Sequence, residues 1–301
     1  MKEGGRWFVL KTSVILLLLV AMSDVEAQDF PTEHRGAPDT SGYRLVRGHI
    51  ADWTFFITLD STDESAWFKR GYYRQKVRDF AGAIADYSEA LRLSPGFEDG
   101  YMNRGYAKFE TGDIPGALKD YEQGIQLDPE DPINFLNRAY AYSSSGANAA
   151  AITDLDRAIA LDPSYAKAYC NRGMCKRLLG DLAGALADYN KAIQLKPYYA
   201  EAYYNRSYVK EMGGDTEGAL ADLDRAIELA PTFAESYNAR AEIKYEHGDP
   251  QGAIADHTKA IELAPGFALA YEERARAYEK LGDRAKAKAD RERAKQLQKA
   301  R

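Results

Sequence analysis

The side chains that most often carry catalysis or bind metal ions are few in this chain and do not converge. Its 301 residues include two cysteines and four histidines, and no histidine stands at metal-ligand spacing from an acid or a cysteine. There is no glycine-rich loop to hold a phosphate, and no nucleophile or acid pair emerges. The sequence therefore predicts no catalytic residue, no metal site and no cofactor. The histidines are His34, His49, His247 and His257.

The two cysteines and one of the histidines are interpreted as structural. Cys170 and Cys175 are five residues apart in a predicted helix. Their side chains therefore point about 140° apart and cannot form a disulfide unless that helix unwinds. We expect buried thiols or thiols at the edge of a groove. His257 stands where the equivalent residue elsewhere in the chain is usually a packed aromatic, and we expect a core imidazole there.

Side chains suited to binding an extended peptide recur every 34 residues. Asparagine offers a donor and an acceptor to a peptide main chain, and tyrosine and methionine give large contact areas with adaptable edges. Duplication of a repeat explains the asparagines equally well, and packing between repeats explains some of the aromatic residues, so both alternatives stay open. The residues are Asn103, Asn137, Asn171 and Asn205, with Tyr72, Tyr106, Tyr140, Met174 and Tyr208.

That interval is a repeat of the chain itself. Six prolines, from Pro95 to Pro265, follow one another 34 residues apart, and the same register runs to the last residue without an insertion. Periods of about 20 to 50 residues indicate a solenoid of stacked supersecondary units. The seven predicted repeats are 64–97, 98–131, 132–165, 166–199, 200–233, 234–267 and 268–301.

Each repeat reads as two short helices joined by a tight turn. Position 4 is aromatic in all seven repeats, position 8 is small, position 20 is alanine, and position 27 is alanine or glycine. Glycine at position 15, mostly followed by aspartate, is typical of the end of one helix and the start of the next. We expect the large residue at position 4 to fill a hole that the small residues leave between the helices.

With these positions in phase over residues 64–301, the chain resembles the tetratricopeptide repeat (TPR) family. That family carries an aromatic residue at position 4, glycine or alanine at 8, alanine at 20 and 27, and proline at 32. The resemblance implies an all-α fold, a right-handed α-solenoid of helix-turn-helix hairpins with a concave groove lined by the first helices. It also implies protein or peptide binding without naming the partner. Some members clamp a C-terminal carboxylate with lysine at position 5 and asparagine at position 9, and no repeat here has either residue.

Arginine at position 7 and aspartate at position 23 occur in all seven repeats. At about 100° per residue, position 7 lies beside the buried face of the first helix and away from the groove. We therefore predict a structural arginine–aspartate pair between the two helices rather than a basic ladder for a ligand. On an edge, each such pair contributes under about 1 kcal/mol.

The charge of the groove positions changes along the chain. Positions 2, 5, 6, 9, 12 and 13 carry four basic and two acidic groups in repeats 1 to 4, but two basic and eight acidic groups in repeats 5 to 7. Glu242 and Glu246 are among those acids. We expect a partner with an apolar stretch for the first half of the groove and basic residues for the second.

The N-terminus reads as a targeting segment followed by a cap. Basic residues within 1–11 precede an uncharged apolar stretch from Thr12 to Met22, which as a helix of about 17 Å is too short for a hydrocarbon core of about 30 Å. Cleavage after Ala27 is expected, with an uncleaved membrane anchor as the alternative. The predicted segments are a signal peptide (1–27), a flexible lead-in (28–42) and a degenerate half-repeat cap (43–63).

Composition narrows the function. A net charge of −6 offers no general attraction to nucleic acid, and 45% hydrophobic residues exclude wholesale disorder. No membrane span is expected after leader removal. We favour an exported, non-enzymatic scaffold, periplasmic or secreted, that binds an extended peptide segment of an unidentified protein in the groove. The alternative is a structural TPR protein that self-assembles without a separate ligand, and both monomer and homo-oligomer stay open.

Overall fold

The structure of the protein is a computed structural model that describes residues 40–299. Within that range the chain forms fifteen α-helices and no β-strand, and consecutive helices pack against one another within each of two compact units. The predicted all-α solenoid is therefore confirmed. The predicted signal peptide (1–27) and residues 28–39 of the predicted lead-in lie outside the described residues.

One pair of helices lies in each predicted repeat, after a single helix that precedes the first repeat. Every first helix has 13 residues. The bounds are α1 Thr40–Leu59, α2 Glu64–Lys76, α3 Phe80–Leu93, α4 Glu98–Glu110, α5 Ile114–Leu127, α6 Pro132–Ser144, α7 Asn148–Leu161, α8 Ala166–Leu178, α9 Leu182–Leu195, α10 Ala200–Met212, α11 Thr216–Leu229, α12 Ala234–Glu246, α13 Pro250–Leu263, α14 Ala268–Lys280 and α15 Arg284–Lys299.

The chain divides into two compact units, Met1–Pro163 and Ser164–Arg301. Unit 1 contains α1 to α7, and unit 2 contains α8 to α15. Within each unit the two helices of a repeat pack together, and the second helix packs against the first helix of the next repeat. Some first helices also meet, as α4 does with α6 and α12 with α14. In each unit, we call the surface carrying positions 2, 5, 6, 9, 12 and 13 of the first helices the first-helix face.

Helix α1 packs against α2 ahead of the first repeat. It begins at Thr40, three residues before the predicted cap, and so includes the end of the predicted lead-in. His49 stacks on Tyr73 of α2 with ring centroids 4.6 Å apart, whereas Leu45 and Leu59 are 66% and 67% exposed. The capping role of this segment stays a prediction. None of the helices described between residues 40 and 299 combines the length and the apolar character that a bilayer crossing requires.

Glycine and aspartate set the turn between the two helices of a repeat. In repeats 2 to 7 the glycine at position 15 has a φ of 81° to 89°, a left-handed conformation that costs a residue with a Cβ about 1–2 kcal/mol. In five of these six repeats an aspartate follows and caps the second helix, as where Asp113 Oδ1 accepts from Gly116 N at 3.0 Å, whereas repeat 3 has Ala147 there. In repeat 1 the same position is Arg78, with a φ of 61°, so this turn keeps its shape without glycine.

The residue at position 24, not the one at position 4, fills the space between the helices. Tyr87 and Tyr189 are 0% exposed and Tyr121 is 2% exposed, while position 4 is half-buried in six of the seven repeats. A Cβ added to Gly105 would lie 2.8 Å from Cε1 of Tyr121, closer than two carbons can pack. Position 4 therefore contributes less to this space than expected, although Tyr169 does pack against the buried cluster that contains Ala185 and Ala192.

Because of this fit, the residues at positions 8 and 24 vary together in size. Glycine at position 8 accompanies tyrosine at position 24, and alanine or serine accompanies a different residue there. The pairs without tyrosine are Ala139 with Leu155, Ser207 with Leu223, Ala241 with His257 and Ala275 with Arg291.

Gly105→Ala should destabilise the protein, because the new methyl group must displace the buried ring of Tyr121. Overpacking of this kind costs about 1–3 kcal/mol. Combining it with Tyr121→Leu should cost less than the sum of the two single changes, because alanine with leucine is the pairing that repeat 3 already carries. Thermal unfolding followed by circular dichroism measures all four members of this cycle.

Gly96→Ala is the matched control, since a Cβ there meets no atom within 4 Å. The packing explanation fails if Gly105→Ala lowers the melting temperature no more than Gly96→Ala does. It also fails if the losses from Gly105→Ala and Tyr121→Leu simply add.

Candidate functional site

A bidentate arginine–aspartate pair joins the two helices of every repeat. Nε and Nη2 of the arginine donate to the two carboxylate oxygens at 2.6–2.9 Å, which confirms the predicted structural pair. The aspartate side chains are only 1–10% exposed, so removing the arginine from a pair costs about 3–5 kcal/mol because it leaves a buried charge uncompensated. The pairs are Arg70–Asp86, Arg104–Asp120, Arg138–Asp154, Arg172–Asp188, Arg206–Asp222, Arg240–Asp256 and Arg274–Asp290.

The same arginines also hold neighbouring repeats together. Arg206 places Cζ 5.4 Å from the centre of the Tyr203 ring at position 4. Its Nη1 donates to Asn190 Oδ1, at position 25 of the preceding repeat, at 2.7 Å. Arg240 reaches an acid at that position, Asp224, at 2.6 Å. These guanidinium groups are committed to the scaffold, and a ligand must be bound by other side chains.

The four predicted asparagines occupy different environments. In unit 1, Asn103 Nδ2 donates at 2.9 Å to the carbonyl one turn earlier in its own helix, and Asn137 is half-buried. In unit 2, Asn205 makes the same contact at 2.8 Å and is 9% exposed, while Asn171 is 8% exposed. The amide donors of Asn103 and Asn205 are thus used within the helix, which leaves the side-chain oxygen as the group that could accept from a peptide. Peptide binding by these residues stays a prediction.

The predicted tyrosines of unit 1 give its first-helix face an aromatic character. Tyr72 and Tyr106 are half-buried, and Tyr140 is 8% exposed. Lys76 Nζ lies 4.9 Å from the centre of the Tyr72 ring, in cation–π range. Burial, assisted by the negative charge of Glu110, raises the pKa of Tyr106 to about 12. Its phenol therefore stays protonated and can donate a hydrogen bond.

In unit 2 the corresponding surface is built around a pair of tyrosines in α10. The rings of Tyr204 and Tyr208 lie 5.2 Å apart at 83°, and their hydroxyl oxygens are 3.1 Å apart. Tyr204 is 2% exposed, Tyr208 is half-buried, and Met174 of α8 is 6% exposed. Met174 and Tyr208, both predicted site residues, therefore belong to a mostly buried wall with a limited accessible edge.

Glu242 is held by hydrogen bonds that reach into the core. Asn238 Nδ2 donates to Glu242 Oε1 at 2.7 Å, and Asn238 Oδ1 lies 3.0 Å from Nδ1 of His257. Burial lowers the pKa of His257 to about 3, so its imidazole is neutral. Since the amide oxygen faces it, the imidazole carries its proton on Nδ1. The expected core imidazole is confirmed at 1% exposure. The spacing of residues in the sequence did not reveal this series of hydrogen bonds, because Asn238 and His257 lie on different helices.

The first-helix face of unit 2 carries less negative charge at neutral pH than its number of acidic residues suggests. Burial, followed by the nearby carboxylate of Glu273, raises the pKa of the half-buried Glu242 to about 8, so most of it is protonated at neutral pH. Glu273 is 8% exposed and accepts from Arg276. The same guanidinium lies 3.6 Å from Glu246, which is exposed. The structure thus brings the two predicted acids, Glu242 and Glu246, to one local group with Arg276.

Neither cysteine is prepared to act as a nucleophile. Neither cysteine forms a disulfide and both are buried, which confirms the expectation. Burial raises the pKa of Cys170 to about 12, whereas a reactive cysteine needs a lowered pKa. Among residues 40–299 no three potential metal ligands of the histidine, cysteine or acidic type lie together. The side chains of the first-helix faces can make hydrogen bonds, aromatic contacts and ion pairs.

Several solved structures share this fold. A TPR protein from Parabacteroides merdae has a TM-score of 0.65 and 19% identity, over 78% of this chain and 93% of its own. A chain of the APC/C hetero-tetramer Cut9–Hcn1 has a TM-score of 0.66 and 17% identity over 77% of this chain, which spans 46% of that chain's length. TTC0263, a thermophilic TPR protein of Thermus thermophilus, has a TM-score of 0.53 and 25% identity, over 60% of this chain and 98% of its own. The first two likenesses show the fold alone.

Comparison by sequence identifies the repeat directly. No curated protein matches the chain, but family models described as tetratricopeptide repeat or TPR repeat match residues 105–146, 140–174, 166–199, 200–233 and 268–301. These matches cover more than half of the chain, and three of them have the same bounds as predicted repeats. Given these matches, the paired helices and the shared fold, the chain belongs to the tetratricopeptide repeat family.

Proposed function

We propose that this chain is a non-enzymatic scaffold that binds an extended segment of a partner protein on the first-helix faces of its units. Membership of the TPR family supports a role in protein–protein interaction. YrrB, which has a TM-score of 0.50 and 23% identity, is a TPR protein with an unusual peptide-binding site. The observation that carries the proposal for this chain is the unit-2 face, where Tyr208 offers an aromatic edge and Glu242 a carboxyl group held in place by Asn238.

For unit 2 we propose a segment that carries a basic residue. The carboxyl group of Glu242 holds a proton because burial and Glu273 disfavour its charge. A lysine or arginine beside it would supply the missing positive charge and favour the ionised form. For unit 1, the aromatic face formed by Tyr72, Tyr106 and Tyr140 suits an apolar stretch.

A photo-reactive phenylalanine analogue in place of Tyr208 should crosslink to a partner protein in the cells that make this chain. The aromatic replacement keeps the ring shape at a half-buried position, so it tests contact without removing the wall. The measurement is the appearance of a crosslinked species on irradiation and its identification by mass spectrometry.

The matched control carries the same analogue in place of Glu228 on the second helix α11, whose side chain is 64% exposed. Crosslinks at position 208 and not at 228 support binding on the first-helix face. Equal crosslinking at both positions, or a partner that is captured only from position 228, would contradict it.

Glu242 should make the protein less stable as the pH rises. Its pKa is about 8 in the folded chain and about 4.3 in an unfolded one. The folded state therefore binds an extra proton between these values, and stability falls through that window. Glu242→Gln, which resembles the protonated acid, should raise the melting temperature near pH 9 and change it little near pH 5. The groups that face Glu242 are Tyr204, Tyr208, Asn238, Glu246, Glu273 and Arg276, with neutral His257 behind Asn238.

Glu246→Gln is the control for that measurement, because it lies one turn later on the same helix and is exposed. The burial explanation is wrong if Glu242→Gln shifts the melting temperature equally at both pH values. The same pH-dependent rise in the Glu246→Gln protein would also rule it out.

We also propose that the chain is exported, periplasmic or secreted, on the strength of its N-terminal sequence. The uncharged stretch from Thr12 to Met22 follows basic residues, and small residues precede the expected cleavage point after Ala27. N-terminal sequencing of the protein recovered outside the cytoplasm should begin at Gln28. A chain that keeps Met1 and sediments with membranes would support the uncleaved anchor instead.

A further inference from the structure

Arg177, at position 12 in α8, is a buried charge that no acid neutralises. The residue is 9% exposed, and its buried Nε donates to no group. Among residues 40–299 no carboxylate forms an ion pair with it, in contrast to the seven arginines at position 7, which each meet an aspartate. Burying an unpaired charge costs free energy. An anionic group bound to this side chain would offset that cost.

The surroundings of the guanidinium are aromatic and apolar. Its Cζ lies 5.8 Å from the centre of the Tyr208 ring, and Met174 lies almost one turn earlier on α8 at 6% exposure. Burial raises the pKa of Tyr189 and the charge of Arg177 opposes that rise, so the two groups are close together. The Tyr189 hydroxyl is itself buried without a well-formed hydrogen bond.

Comparison with other repeats shows what this pair of side chains lacks. Positions 12 and 24 are hydrogen-bonded in repeat 1, where Gln75 Oε1 and Tyr87 OH lie 3.0 Å apart. They are ion-paired in repeat 7, where Arg291 Nη2 and Glu279 Oε2 lie 2.7 Å apart. Each of those pairs combines a donor with an acceptor.

In repeat 4, Arg177 and Tyr189 occupy these two positions. The guanidinium has five N–H donors, and the phenol offers only a weak, neutral acceptor. The acid at position 12 of the next repeat does not pair with Arg177: Glu211 Oε1 lies 3.0 Å from His247 Nε2, and its Oε2 is buried without a hydrogen-bond partner. A negatively charged oxygen supplied from outside would complete the arrangement.

We propose that Arg177 anchors a carboxylate of the segment bound on the unit-2 face, an assignment that rests on the function proposed above. Arginine recognises a carboxylate through two parallel N–H···O bonds, and the Tyr208 ring provides a surface for the atoms next to it. This anchor lies at position 12 and uses neither lysine at position 5 nor asparagine at position 9. Two sources offer the chemistry, an acidic side chain within the segment or its C-terminal carboxylate.

Carboxylate binding can be measured on the whole chain without the partner. The probes are N-acetyl-aspartate methylamide, which has only a side-chain carboxylate, and N-acetyl-alanine, which has only a terminal one. Both should shift the nitrogen-15 NMR signal of Arg177 Nε in a saturable way. N-acetyl-asparagine methylamide, the neutral match, and sodium chloride at equal ionic strength should not. The probe that binds more tightly identifies the source of the carboxylate.

Arg177→Gln should weaken the binding of both probes by about tenfold or more, the effect of losing a charge-assisted hydrogen bond. Arg225, exposed and paired with Glu228 at 2.9 Å, provides an internal reference signal that should not saturate. If the variant does not fold, the four-compound comparison on the unaltered protein still decides the matter. Equal shifts with the neutral amide or with chloride, or no saturation, would overturn the assignment.

This result is independent of the crosslinking at position 208. Crosslinks to a partner without carboxylate binding would overturn the role of Arg177 alone. Carboxylate binding without crosslinks would leave the anchor in place and count against the extended segment.

Discussion

The bidentate pair between arginine at position 7 and aspartate at position 23 is the interaction on which the rest of the structure depends. Each aspartate is almost fully buried, so it is tolerable only if the first helix delivers a guanidinium to it in one orientation. In repeats 1, 2, 4, 5 and 6 a second cation at position 11 joins the pair, as Lys210 Nζ does at 2.9 Å from Asp222. The pair therefore fixes the relative placement of the two helices, while the fit between positions 8 and 24 fixes their distance.

This arrangement separates the charges that build the repeat from those that remain for a ligand. The arginines at position 7 point to the side of the hairpin opposite the first-helix face. They are hydrogen-bonded to the aspartates at position 23 and, in Arg206 and Arg240, to position 25 of the preceding repeat. Two groups on the unit-2 face fall outside that pairing. Arg177 has a charge without a counter-charge, and Glu242 has a carboxyl group that burial keeps protonated. The arginine–aspartate pairs are balanced without these two groups, whose burial costs free energy.

The sequence was sufficient for the repeat, the helices, the turn residues and the arginine–aspartate pairs, because each recurs in phase in at least six of the seven repeats. It was not sufficient for features that occur once. The hydrogen bonds from His257 through Asn238 to Glu242 join residues on two helices whose spacing carries no periodic signal. The asparagine amides were read as free because a 34-residue period says nothing about a donor satisfied within its own helix, as at Asn205. The part played by position 4 was overestimated, because a large residue in a pattern indicates packing but does not indicate how deeply the side chain is buried.

Arg240 has an aspartate on either side, Asp256 in its own repeat and Asp224 in the one before. The next junction is held instead by a neutral contact, from Arg274 to the hydroxyl of Thr258 at 3.0 Å. In a linear array whose cooperativity comes from nearest-neighbour coupling, such a difference links some neighbouring repeats more strongly than others. Repeats 5 and 6 are then coupled through a charged contact, and repeats 6 and 7 through a neutral one.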